Sequence, residues 1–100
     1  MIDITIIRQS FPSCGSWRDL ALLCKSNLNP RTLNVSRSFG RTSTYKNCVW
    51  WSEIVKFFEV GDLANAEAKE MAKNLEEMGF LKTRDDIDNP HRDWVMEFLI

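Results

Sequence analysis

The fold of this 100-residue chain is decided by residues 48–60, which read CVWWSEIVKFFEV. The polar residues between Ser52 and Glu59 recur at helical spacing and leave an apolar face on the opposite side. The same segment is dense in aromatic and β-branched residues, which strands favour. The pattern therefore leaves two structures open, an extended segment and a helix, and each leads to a different arrangement of the whole chain.

Two elements are predicted at the start of the chain. Residues 2–8 begin with Ile at alternate positions, which is the period of a half-buried strand. Ser16 stands three residues before Asp19 and just ahead of an apolar run, a pattern typical of a capping box. A helix is therefore expected over residues 17–26.

The stretch between Arg31 and Lys46 is polar and basic. Residues 32–39 carry apolar side chains at alternate positions and are a strand candidate, although Arg37 interrupts the pattern. Ser, Thr and Gly cluster in residues 37–44, so we expect a hairpin tip or an exposed loop there.

The clearest helical pattern covers residues 63–78, where apolar side chains recur at helical spacing. Asp62 is a candidate N-cap, and Gly79 is a suitable stop because glycine readily adopts the left-handed conformation that ends many helices. A short strand, a polar turn and a largely buried final strand are expected at 80–84, 85–92 and 94–100, in that order.

These elements predict a single α+β domain over residues 1–100, with a small mixed sheet and two helices. If residues 48–60 are extended, the order is close to a ferredoxin-like βαββαβ arrangement, which we favour. If they are helical, the run of helix, turn, helix and closing hairpin is a winged-helix-like arrangement.

Charge is distributed unevenly along the sequence. Residues 1–50 hold seven basic and two acidic residues, a net charge of +5, whereas residues 51–100 hold six basic and twelve acidic residues, a net charge of −6. Because long-range electric fields steer association, this asymmetry favours a charged macromolecular partner over a small-molecule substrate.

Composition disfavours several classes of protein. The three cysteines are an odd number without a CxxC pair, which argues against a disulfide framework and against a zinc site. No apolar stretch approaches the roughly 18 residues of a membrane span, and the first residues lack a secretory pattern. We therefore expect a cytoplasmic protein with reduced thiols that does not bind membranes.

Reaction chemistry is not evident in the sequence. Residues 85–93 gather acids around the single histidine, but Pro90 and His91 fall where a calcium loop needs a ligand and a glycine. No local signature pairs a cysteine with His91 as nucleophile and base. The sequence predicts no enzyme activity, no metal site and no cofactor.

The expected function is a small non-enzymatic protein-binding module, such as an inhibitor, immunity or regulatory factor, that contacts a larger protein through charged surfaces. The alternative is a nucleic-acid-binding domain that uses the basic segment 31–46, with Phe39 and Tyr45 stacking on bases. The acidic residues of the 63–78 helix argue against DNA reading by that helix. The candidate contact residues are basic at Arg31, Arg37, Arg41 and Lys46, acidic at Glu70, Glu76, Glu77, Asp85, Asp86 and Asp88, and aromatic at Trp50 and Trp51.

Overall fold

The computed structural model describes residues 4–100, which form four α-helices and a four-stranded antiparallel sheet. The helices span Ile4–Ser10 (α1), Trp17–Leu28 (α2), Trp51–Val60 (α3) and Asn65–Glu77 (α4). The strands span Arg31–Ser36 (β1), Thr42–Trp50 (β2), Leu81–Asp85 (β3) and Val95–Phe98 (β4), in the sheet order β1-β2-β4-β3. The predicted α+β class is therefore confirmed, but the sheet is antiparallel rather than mixed, and the described residues form four α-helices where two were predicted.

The segment 48–60 divides between the two predicted structures. β2 continues through Trp50 and α3 begins at Trp51, so the dense apolar run forms the end of a strand and then a helix. Glu53 stabilises the change of direction, because its carboxylate accepts a hydrogen bond from the Trp50 amide at 3.1 Å. The helical period therefore describes the segment from Trp51 onwards.

The favoured βαββαβ order is not confirmed. In residues 4–100, α3 and α4 follow one another directly, and no strand precedes α2. From Trp51 to Phe98 the chain runs helix, turn, helix and antiparallel hairpin, which is the run of elements expected if the 48–60 segment is helical. The β1–β2 hairpin adds two further strands to that sheet.

The strand predicted over residues 2–8 is wrong from residue 4 onwards, because residues 4–10 form α1; residues 2 and 3 lie outside the described part. Alternation over so few positions does not distinguish a strand from a helical turn, and tertiary context decides the structure of such short apolar runs. In the structure, Arg8 donates a hydrogen bond to the Gly15 carbonyl at 3.4 Å, which links α1 to the start of α2.

Local signals mark the ends of two helices. Ser16 Oγ accepts a hydrogen bond from the Asp19 amide at 3.2 Å, as the capping pattern predicts. The prediction that Asp62 caps α4 is wrong, because the N-cap is Ala64. Asp62 has φ 69°, and its amide donates a hydrogen bond to the Glu59 carbonyl in α3. Gly79 follows α4 at φ 86°, the left-handed conformation expected of a glycine stop.

The sheet separates two apolar clusters. The larger one lies between the sheet and the buried faces of α2, α3 and α4, and Phe58 and Phe98 are among its largest side chains. The smaller cluster lies on the other face of the sheet and consists of Leu33, Val35, Cys48 and Val95, with half-buried Tyr45 and Trp50. Since this cluster is built mainly from β1 and β2, it supports the base of their hairpin.

Among residues 4–100, no helix combines the length and the apolar character that crossing a bilayer requires.

Candidate binding site: the tip groove

A groove of about 1060 Å³ lies between the tip of the β1–β2 hairpin and the loop that joins β3 to β4. We call it the tip groove. Lining residues between 36 and 43 form its hairpin wall, and residues 88–90 together with Arg92 form its loop wall. The two walls come from the basic and the acidic segments of the sequence, so the fold places oppositely charged segments side by side.

Arg37 joins the two walls. Its guanidinium forms an ion pair with the buried carboxylate of Asp85, at the end of β3, and donates to the Tyr45 hydroxyl at 3.3 Å. The hydrogen bond to Asp85, assisted by Tyr45, raises the pKa of Arg37 above its usual range. Arg37 and Asp85 therefore compensate each other's charge and stabilise the groove, rather than offering free charges to a partner.

Asn89 holds the loop wall together. Its side chain is only 7% exposed, and its amide group donates to the carbonyls of Asp86 and Asp93 at 2.7 and 2.5 Å. Its Oδ1 accepts a hydrogen bond from the His91 amide at 2.9 Å. This one side chain satisfies three backbone groups, so the loop keeps a defined shape without regular secondary structure.

Phe39 is the most unusual residue of the groove. Its side chain is 100% exposed, and its backbone has φ 63°, in the left-handed region. That region is an outlier for a bulky residue and costs about 1–2 kcal/mol. Arg92 on the opposite wall also lies there, at φ 54°. Backbone strain of this kind clusters at functional sites, because function retains residues that stability alone disfavours.

Two arginines carry the free positive charge of the groove. Arg41 and Arg92 are exposed, and within residues 4–100 their side chains have no ion-pair or hydrogen-bond partner. Asp88 is the acidic side chain among the described lining residues. With Arg37 neutralised by Asp85, the groove keeps two free guanidiniums against one carboxylate.

The other basic candidates lie away from the groove. Arg31 forms a two-bond ion pair with Glu53, with N–O distances of 3.2 and 2.7 Å, and so links the start of β1 to α3. Lys46 is exposed on β2, next to the bulge where Asn47 has φ 59°. Of the four predicted basic contacts, the structure therefore brings together only Arg37 and Arg41.

The acidic candidates fall in two places. Three lie on α4, where Glu70 and Glu77 are exposed. The third, Glu76, accepts a hydrogen bond from the Thr83 amide at 3.2 Å. The other three lie at the end of β3 and in the loop after it, where Asp88 lines the tip groove.

The two predicted aromatic anchors are half-buried and packed. The Trp50 ring lies 4.6 Å from the His91 ring, and the Trp51 ring meets Trp94 edge to face at 5.8 Å, measured between ring centroids. Phe39 is far more exposed, yet the sequence suggested only base stacking for it. The usable signal was its position beside Gly40 in a tip rich in Ser and Thr.

The three cysteine thiols are poorly suited to act as nucleophiles. Burial raises the pKa of the Cys24 thiol to about 12 and that of Cys48 to about 11, and burial also raises the pKa of Cys14. The nucleophile is the thiolate, which such thiols do not supply near neutral pH. The described residues contain no group of three or more His, Cys, Asp or Glu side chains placed to hold a metal ion.

Comparison with protein-family models, with curated proteins and with solved structures finds no match to the chain. Its function is therefore inferred from the geometry of the tip groove.

Proposed function

We propose that this chain is a non-enzymatic protein-binding module whose contact surface is the tip groove. The observation that carries the proposal is Phe39, a fully exposed aromatic ring held in a conformation that costs free energy. Aromatic and Arg side chains dominate interface hot spots, and burial of a Phe side chain contributes about 1.5–3 kcal/mol. Phe39 with Arg41 beside it is such a combination.

A protein partner is favoured over nucleic acid by the state of the basic segment. Arg31 and Arg37 are ion-paired within the chain, and the Tyr45 hydroxyl is bonded to Arg37. Few free cations of the segment 31–46 therefore remain for a phosphate backbone, whose binding requires several. A role as a small inhibitor, immunity or regulatory factor is consistent with one compact anchor site on a domain of this size.

Affinity capture from a nuclease-treated lysate tests the proposal. Wild-type chain is compared with Phe39→Ala and with Val60→Ala, a matched variant because Val60 is 76% exposed and lies on α3. Loss of a hot-spot side chain typically costs 2 kcal/mol or more, so Phe39→Ala should weaken partner binding about 30-fold. Val60→Ala should bind like wild type.

Two results would contradict the proposal. If the Phe39→Ala and Val60→Ala variants retained the same partners with the same affinity, Phe39 would not be the anchor. If every partner disappeared with the nucleic acid, the nucleic-acid-binding alternative would replace it.

A further inference from the structure

We infer that the partner segment entering the tip groove is acidic and that Arg41 and Arg92 bind its carboxylates; this inference rests on the proposed function. Arg41 belongs to the hairpin wall and Arg92 to the loop wall. A segment lying along the groove therefore meets one free guanidinium from each side.

The charges of the groove select for carboxylates. A guanidinium matches a carboxylate with two parallel hydrogen bonds, and such charge-assisted pairs are among the stronger polar contacts in proteins. Arg41 and Arg92 have no such partner within the described residues, unlike Arg31 and Arg37. Arg41 and Arg92 therefore supply two unpaired guanidiniums to the lining of the same groove.

Both arginines sit on backbone that is already fixed. The Arg41 carbonyl accepts a hydrogen bond from the Arg37 amide at 2.6 Å, which closes the hairpin tip. The Arg92 amide donates to the Asn89 carbonyl at 2.9 Å, which closes the loop. Because the two walls are ordered before binding, a carboxylate segment has less ordering entropy to overcome.

Asp88 favours a peptide over a nucleic acid strand in this groove. The ring of Phe39 packs on an apolar side chain that a peptide can supply next to its acidic residues. Asp88 lines the same groove and repels the closely spaced phosphates of a nucleic acid strand. A peptide can place carboxylates at two points and avoid that position.

NMR titration of the whole chain tests the inference with three probes: N-acetylated hexaglutamate, its neutral counterpart hexaglutamine, and single-stranded oligothymidylate. The resonances followed are the Nε–Hε groups of Arg41 and Arg92 and the amide of Phe39. Each arginine is also replaced by Gln. Arg18→Gln is the matched control, because Arg18 is an exposed arginine on α2, outside the described lining of the groove.

Hexaglutamate should shift these resonances in a saturable way, and hexaglutamine should not. Arg41→Gln and Arg92→Gln should each weaken hexaglutamate binding about three- to tenfold, the range of exposed to partly desolvated charge pairs. Arg18→Gln should change it by less than about twofold. Unchanged amide spectra away from the groove show that each variant is folded.

Three results would overturn the inference. The first is that hexaglutamate leaves the Arg41 and Arg92 resonances unshifted. If Phe39→Ala still weakened partner capture in that case, the proposed function would stand and the partner segment would not be acidic. Arg18→Gln could weaken binding as much as the groove variants, which would indicate non-specific charge attraction. Oligothymidylate could bind more tightly than hexaglutamate at equal ionic strength, which would reject the protein-binding proposal as well.

Discussion

Replacement of Phe39 by Gly is expected to make the protein more stable while removing its binding contact. The side chain is fully exposed, so its loss removes no packing. The left-handed conformation at φ 63° costs a non-glycine residue about 1–2 kcal/mol. The extra freedom of glycine in the unfolded chain offsets about 0.4–1 kcal/mol of that. At the midpoints of these ranges the free energy of unfolding should rise by about 0.8 kcal/mol, and Tm by roughly 3–6 °C.

Phe39→Ala separates the backbone from the ring. It removes the same aromatic group but keeps an L side chain in the left-handed conformation, so its free energy of unfolding should stay within about 0.5 kcal/mol of wild type. Urea unfolding, monitored by tryptophan fluorescence, compares the wild type with the Phe39→Gly and Phe39→Ala variants. Equal stability of the Gly and Ala variants, or a less stable Gly variant, would refute strain at Phe39 and remove that support for its binding role.

Two further predictions concern the loop wall and the buried thiols. Asn89→Ala should lower the free energy of unfolding by about 2–4 kcal/mol, because three hydrogen bonds of a 7% exposed side chain are lost. The control Asn27→Ala loses one exposed hydrogen bond and should lower the free energy of unfolding by less than about 1 kcal/mol in the same urea assay. Equal destabilisation by the two substitutions would refute the role given to Asn89. Since burial raises the pKa of Cys24 to about 12, above pH 9 the thiol ionises in the unfolded chain before the folded one. Below the pKa of Cys24 in the unfolded chain, this thiol should not affect the free energy of unfolding. Between about pH 9 and 12 the free energy of unfolding should fall by up to 1.4 kcal/mol per pH unit. The same pH dependence in the Cys24→Ala variant would contradict this prediction.

The elements with a long, consistent period could be predicted from the sequence. Residues 65–77 form α4 because apolar side chains recur on one face through the whole helix, and Gly79 ends the pattern. The helix after Ser16 follows from its side-chain cap, which is a local contact. Such patterns depend only on residues within one or two helical turns, so they can be recognised without knowledge of the tertiary structure.

The division of residues 48–60 could not be predicted, because strand and helix share one apolar run. The point of division depends on pairing between β2 and β4, which ends at Trp50 opposite Val95. The helix at residues 4–10 was missed for a related reason, because an alternating apolar run forms a strand only where a neighbouring strand pairs with it. Within the described part, the edge strands β1 and β3 pair with β2 and β4 and not with residues 4–10.

The position of the hairpin tip could be predicted from the sequence, whereas the contacts that form the tip groove could not. The tip of the hairpin was expected within residues 37–44, and the structure places it between the end of β1 at Ser36 and the start of β2 at Thr42. The ion pair of Arg37 with Asp85 joins residues 48 positions apart, which no local pattern reveals. Counting charges along the sequence left open whether the charged segments form separate surfaces, and the fold brings parts of both segments to the tip groove.

Photo-crosslinking at the hairpin tip tests the central claim most directly. Benzoylphenylalanine replaces Phe39 in one chain and Val60 in another, so that both carry the reactive ring on exposed positions. Position 39 should yield a protein adduct in nuclease-treated lysate that excess wild-type chain suppresses, and position 60 should not. Equal adducts at both positions, or adducts at position 39 that form only in untreated lysate and consist of nucleic acid, would contradict a protein-binding tip groove.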